Sequence, residues 1–191
     1  MKLTSQKALE LLKEIEKDLD NNYWIRHSIC VGDTAGIIAE KLKLDVDKAK
    51  TLGYIHDIGK RIDDFQKHDI NGYNYIRELG YDDEYASVCL THSYLNNDLN
   101  CVAGMCTDNN PFRKEYIENH EYTIYEKLIN LCDLMCKGNV MTIEKRLIDI
   151  YLRRGVSKNT VYHIKEAYKL KKHFDNMLGH NVYDLFLDIE I

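Results

Sequence analysis

The dipeptide His56-Asp57 lies inside an apolar run, Leu52-Gly-Tyr-Ile-His-Asp-Ile-Gly-Lys60. An imidazole and a carboxylate buried side by side cost several kcal/mol unless something neutralises them. Any fold that buries this segment must therefore bring compensating groups from elsewhere in the chain. A bound metal cation would serve, and His27, His68, His92 and the apolar-flanked Asp133 are the residues able to complete such a site. The pair alone is a weak signal. The ordered set of six is a strong one.

The remaining chain reads as helices. It holds 1 proline in 191 residues, so few breakers interrupt its Leu-, Ile-, Lys- and Glu-rich segments. Thr4 or Ser5 can cap a first helix with Ala8, Leu11, Leu12 and Ile15 at helical spacing, broken at Asn21-Asn22. A second helix is expected from about 23 to 42, with His27 in its first turns. Asp45 caps a third that carries His56-Asp57 at its end, with Gly59 as its stop signal. The polar stretch 60–67 is a loop. His68 opens a short helix ended by Gly80, and Asp82 or Asp83 caps another that runs to about His92. The pattern is lost from Tyr94 to Pro111, the best candidate for a mobile loop over a site. Helices resume over 122–137 and 141–152, and Ser157 caps a long last one that reaches Leu178 and stops at Gly179. No strand alternation or internal repeat is visible. The expected class is all-α, a single-domain helical bundle over 1–191.

The net charge of −5 gives no reason to expect general nucleic-acid binding, although a small anionic, phosphate-containing substrate is compatible with it. The 6 cysteines (Cys30, Cys89, Cys101, Cys106, Cys132 and Cys136) have irregular spacing and match no zinc ribbon. They are expected to be reduced, mostly buried thiols of a cytoplasmic protein. No stretch approaches the ~20 apolar residues that span a bilayer, so no membrane association is expected. A homodimer is compatible with the sequence.

The order His27, His56-Asp57, His68, His92, Asp133 resembles the HD superfamily of metal-dependent phosphohydrolases. His56-Asp-Ile-Gly-Lys60 matches its HDIG variant letter by letter. His68 with Gly72 is similar to the family's downstream histidine, although Asp69 stands where proline is common. Thr91-His92 resembles the next ligand, and Ile129-Asn-Leu-Cys-Asp133 resembles the closing aspartate. The resemblance covers about 23–137, the expected metal-binding core, and implies nothing for the helical extension at 138–191. It implies hydrolysis of a phosphoester or phosphoanhydride, with a nucleotide or dinucleotide as the substrate class. The Gly-Tyr-Pro extension of the cyclic dinucleotide phosphodiesterases is absent, since Arg-Ile-Asp-Asp follows Lys60. A non-catalytic nucleotide- or metal-binding sensor and a di-iron oxygenase are the alternatives on the same ligand set.

Imidazole and carboxylate together suit transition metals. His27, His56, Asp57 and Asp133 would hold one cation. Adding His68 and His92 gives enough ligands for two, bridged by Asp57, and the dinuclear form is preferred on ligand count. Iron or manganese is expected, with zinc, nickel and magnesium as alternatives. Such a pair clamps phosphoryl oxygens and lowers the pKa of water, which makes Asp57 a catalytic as well as a ligating residue. Lys60 is the candidate phosphate contact and catalytic cation. Arg26, beside His27, and Tyr94, a base-stacking ring that follows His92, are further candidate substrate contacts.

Each histidine taken alone is more often structural than a ligand. His120, His163, His173 and His180 lack the context of the other four, and His163 and His173 are expected on the surface of the last helix. Lys169, Lys171 and Lys172 there read as a solvated face that offsets the helix dipole. Tyr73, Tyr75, Tyr81 and Tyr85 read as core-edge residues.

Overall fold

The computed structural model describes residues 1–17, 23–62, 66–101 and 110–191. Nine α-helices are seen among them: α1 (Ser5–Glu16), α2 (Tyr23–Lys41), α3 (Val46–Ile55), α4 (His68–Glu78), α5 (Asp83–Thr91), α6 (Pro111–Asn119), α7 (Ile124–Asp133), α8 (Ile143–Arg154) and α9 (Thr160–Leu178). Short 3-10 turns lie at Ile58–Arg61, Leu95–Asn97 and Val182–Leu185. The only extended pairing among the described residues is two isolated bridges, Cys136 with Val140 and Met141 with Glu190. The all-α class expected from the periodicity is the class observed. No described helix is long and apolar enough to cross a membrane.

Several ends form where the chain carries capping chemistry. Thr4 accepts from the Lys7 amide, Asp45 from the Lys48 amide and Thr142 from the Lys145 amide. Thr123 and Glu126 form a reciprocal capping box that starts α7, the helix that delivers Asp133. Gly80 and Gly179 close their helices at positive φ, as read from the sequence.

The centre of the molecule is the crossing of α2 and α3. A side chain on Gly53 would meet the Gly32 amide nitrogen at 2.7 Å, so only paired glycines let the two backbones approach this closely. That approach sets His27 on α2 against His56 at the end of α3. One apolar cluster surrounds the crossing, with Ile25, Val31, Ala35 and Ile38 of α2, Leu52 and Ile55 of α3, and Leu128, Ile129 and Leu131 of α7. It continues into the C-terminal helices through Ile143, Leu147, Ala167, Leu170 and Phe174. A smaller cluster holds Leu90, Tyr94 and Ile117.

Several expectations need correction. Helix α6 falls in a stretch with no expected element, although Asn110 caps it and Pro111 opens it. Its signal is the Asn-Pro start, which serves equally as the end of a loop. Asn159, not Ser157, is the residue before α9. His163 is buried, because α9 turns it inward, and its ring lies against Tyr151 at 2.7 Å. Lys171 is also buried, paired with Asp175 at 2.8 Å and lying over the Tyr183 ring. Gly59 does not stop α3, which ends at Ile55; it sits in a 3-10 turn pressed against the backbone of His68. The expected break at Asn21-Asn22, most of the expected mobile loop, and Cys106 lie outside the described residues. The five described cysteines are free thiols.

Candidate metal centre

The six expected ligands come from four helices and the turn after α3, and all six face one another. His27 lies in the second turn of α2, His56-Asp57 follows α3, His68 opens α4, His92 ends α5 and Asp133 ends α7. Five are at or near helix termini, where the backbone changes direction and side chains from different helices can converge. Asp57 is buried at the middle. Its Oδ2 lies 3.7 Å from His27 Nε2 and 3.5 Å from His56 Nε2. Its Oδ1 lies 3.5 Å from His68 Nε2 and 3.3 Å from His92 Nε2. Each carboxylate oxygen thus serves one pair of imidazoles. Asp133 closes the first pair, with Oδ1 at 2.9 Å from His27 Nε2.

The tautomers are fixed from behind. His56 Nδ1–H donates to the Gly53 carbonyl at 2.7 Å, and His92 Nδ1–H donates to the Val88 carbonyl at 3.1 Å. A carbonyl can only accept, so in the neutral rings the Nε2 lone pairs point into the centre. Facing Nε2 atoms are close: 3.3 Å between His56 and His27, and 3.2 Å between His68 and His92. Burial pushes the His56 pKa down to about 3 and that of His68 down to about 4, which keeps both rings in the ligating form. His92 is the exception: burial also disfavours its charge, but the Asp57 carboxylate outweighs burial and raises its pKa. Burial works against the Asp57 and Asp133 charges as well. Lys60 and His56 nevertheless hold Asp57 well below the carboxylate range, and His27 does the same for Asp133.

Two groups of donors could each hold a metal ion, His27-His56-Asp57 and Asp57-His68-His92, with ligand atoms in each within 4.8 Å of one another. Buried Asp57 Oδ1 has no hydrogen-bond donor among the described residues. A buried carboxylate oxygen without a donor is rare and calls for an ion. The residues fit divalent metal binding, and Asp57 is the residue shared by the two donor groups.

The expected substrate contacts divide. Lys60 is ion-paired with Asp57 at the rim of the centre. Arg26 is exposed on α2 and lines a different cleft of about 380 Å³ with Tyr23, Lys137 and Lys145, since adjacent helix positions such as Arg26 and His27 point about 100° apart. Tyr94 is buried in the smaller apolar cluster, and its carbonyl accepts from the Tyr122 hydroxyl. It is a core residue, because the chain after His92 turns inward.

Two supports were not read from the sequence. Asp69, beside His68, is buried and clamped by Arg113 of α6, with Nε to Oδ2 at 2.5 Å and Nη2 to Oδ1 at 2.8 Å. This pair ties the start of α4 to α6 and occupies the position where proline is common. Glu126, in the first turn of α7, accepts from His120 at 2.7 Å and from Thr91, the residue before His92, at 3.1 Å. Glu126 sits three residues after Thr123, a capping-box spacing that would have flagged it.

Comparison with known proteins agrees with this geometry. The 39% identity with the Ribonuclease Y of Fervidobacterium nodosum extends over 74 residues, 36% of this chain and 14% of that protein. The Ribonuclease Y of Streptococcus agalactiae serotype III is 51% identical over 39 residues, 20% of this chain and 7% of that protein. The chain therefore spans only a small part of the length of these relatives. No solved structure gives a significant match. The family model described as HD domain matches residues 24–150, which contain all six converging ligands. The chain belongs to the HD domain family, within the superfamily of metal-dependent phosphohydrolases.

Proposed function

We infer that this chain hydrolyses a phosphodiester in a small nucleotide-containing substrate, using a pair of divalent transition metals, with manganese or iron preferred. The observation that carries the reading is the division of Asp57, whose two oxygens each face a separate pair of histidines. The name of the relatives, ribonuclease, supports a bond between nucleotides. The net charge of −5 favours a short substrate over a long polyanion.

When bound, the cations supply a water acidic enough to attack near neutral pH and positive charge to offset that of the phosphoryl group. The protein supplies the rest. The Gly53 and Val88 carbonyls orient His56 and His92, so no reorganisation of these rings is needed during turnover. Lys60, held at Asp57, places an ammonium at the rim, where a phosphoryl oxygen would arrive. Burial of the histidines excludes water from the ligand side of the centre.

The test is a manganese- or iron-loaded protein assayed anaerobically against bis-p-nitrophenyl phosphate, ribo-dinucleotides and mononucleotides. Metal-dependent release that disappears in Asp57→Asn and Asp133→Asn supports the reading. Tight metal binding with no turnover on any of these substrates would refute it.

A further inference from the structure

The HD match ends at residue 150, yet the chain continues into a helix that packs back on the helix carrying Asp133. Helix α9 packs against both α7, whose last residue is Asp133, and the 3-10 turn Leu95–Asn97, three residues beyond His92. That turn also touches α7. Side chains fix the approach: Tyr162 donates to Asp98 at 2.6 Å, and Glu166 accepts from Asn96 at 2.9 Å. His163 lies between these two anchors on α9 and is 2% exposed. Its Nδ1 meets the Tyr151 hydroxyl at 2.7 Å, while its Nε2 hydrogen-bonds to no described residue and is not sealed from solvent.

An imidazole has two nitrogens to satisfy. Here one is held by Tyr151 and the other keeps a small opening, on a helix that packs against the Asp133-bearing α7 and the turn that follows His92. We propose that His163 binds substrate at this centre: with Tyr151 donating to Nδ1, its Nε2–H donates to an oxygen of the phosphoryl group bound beside Asp57 and Asp133. The inference rests on the hydrolase reading for the identity of the ligand, and both residues lie outside the stretch that matches the family.

The chemistry is that of a neutral donor. Burial pushes the His163 pKa down to about 4 even though the Asp133 charge acts in the opposite direction, so the ring is uncharged near pH 7. Burial also pushes the Tyr151 phenol up to about 12, so it keeps its proton and can give it to Nδ1. That hydrogen bond leaves the ring proton on Nε2. A neutral histidine fixed in one tautomer is an established way to hold a developing negative charge without competing with a metal.

The experiment measures inorganic phosphate binding by calorimetry to the manganese-loaded full-length protein, together with manganese content and melting temperature. His163→Phe keeps the ring volume and removes the donor; manganese content should stay at the wild-type level while phosphate affinity falls roughly tenfold or more. His163→Gln can place an N–H near the Nε2 position and should recover most of that loss. Tyr151→Phe removes the tautomer lock and should weaken phosphate several-fold, which gives a reading even if His163→Phe does not fold. Unchanged phosphate affinity in either His163→Phe or Tyr151→Phe overturns the proposal, as does a His163→Gln no better than His163→Phe. A wild-type protein that binds manganese and phosphate but cleaves no phosphoester sinks the hydrolase reading and leaves this contact standing. One that binds manganese but no phosphate sinks both.

Discussion

Replacing Gly59 with alanine should damage one half of the metal centre more than the other. An added Cβ at Gly59 would meet the His68 carbonyl carbon at 2.8 Å, with the carbonyl oxygen and the Gly72 nitrogen closer still. All three are backbone atoms, so no side chain can swing aside. Ordinary carbon–carbon contact begins near ~3.5 Å, so the turn and the start of α4 must part by at least about 0.7 Å. A functional constellation tolerates roughly 0.5 Å before its geometry fails. His68 moves with α4, whereas His27, His56 and Asp133 depend on α2, α3 and α7. The expected result is loss of the cation held by Asp57, His68 and His92, with the other retained. Overpacking of this kind costs about 2–3 kcal/mol, or roughly 4–12 °C in melting temperature for a chain of this size. Elemental analysis after dialysis reads the metal content, and calorimetry reads the melting. Gly80→Ala is the control, since Gly80 has positive φ but open space around it; it should lower the melting temperature and leave the metal content alone. A Gly59→Ala protein with wild-type melting and full metal content would refute the reasoning.

Other perturbations have equally definite outcomes. Asp57→Ala should abolish retention of both cations together, because each of its oxygens serves one imidazole pair; retention of a full complement by elemental analysis would contradict the bridging role. Arg113→Ala should cost about 3–5 kcal/mol in denaturant unfolding, since it leaves Asp69 buried without its guanidinium; a loss below ~1 kcal/mol would show the clamp to be dispensable. His163 is held neutral by burial, with its pKa lowered to about 4, so its contribution to stability is complete above pH ~6.5. That contribution should erode by about 3 kcal/mol as the pH falls from there towards 4, and His163→Phe should flatten this part of the profile; an unchanged profile in the variant would exclude His163 as its source. Chelation should lower the melting temperature of the loaded protein, because bound cations stabilise only the folded ligand set.

Much of the architecture is legible in the sequence because helical signals are local. The 3.6-residue spacing, Asp45 as a cap, and Gly80 and Gly179 as stops all act within a few residues. The six ligands were legible through their residue types and order, helped by the letters from His56 to Lys60. What escaped depends on tertiary contact. Gly59 reads as a helix stop, yet it permits two backbones to touch, which one segment cannot reveal. His163 reads as a surface residue of a Lys-rich helix until α9 is docked, and Arg26 reads as a site residue until α2 is rotated into place. Asp69 looks like a departure from a pattern, and only the arrival of Arg113 from 44 residues away explains it.

The apolar interior runs without a seam from Ile25 on α2 to Phe174 on α9 and Val182 beyond it, while the family match ends at residue 150. A fragment trimmed to that sequence boundary would open to water the apolar side chains that Ala167, Leu170, Phe174 and Val182 cover. The backbone of Glu190 also pairs with Val140 and Thr142, just past the helix that carries Asp133. During synthesis, the ligand-bearing segments therefore emerge well before the residues that seal them. Shortened versions of this chain should be sought at exposed turns within 1–191 rather than at the limits of the family match.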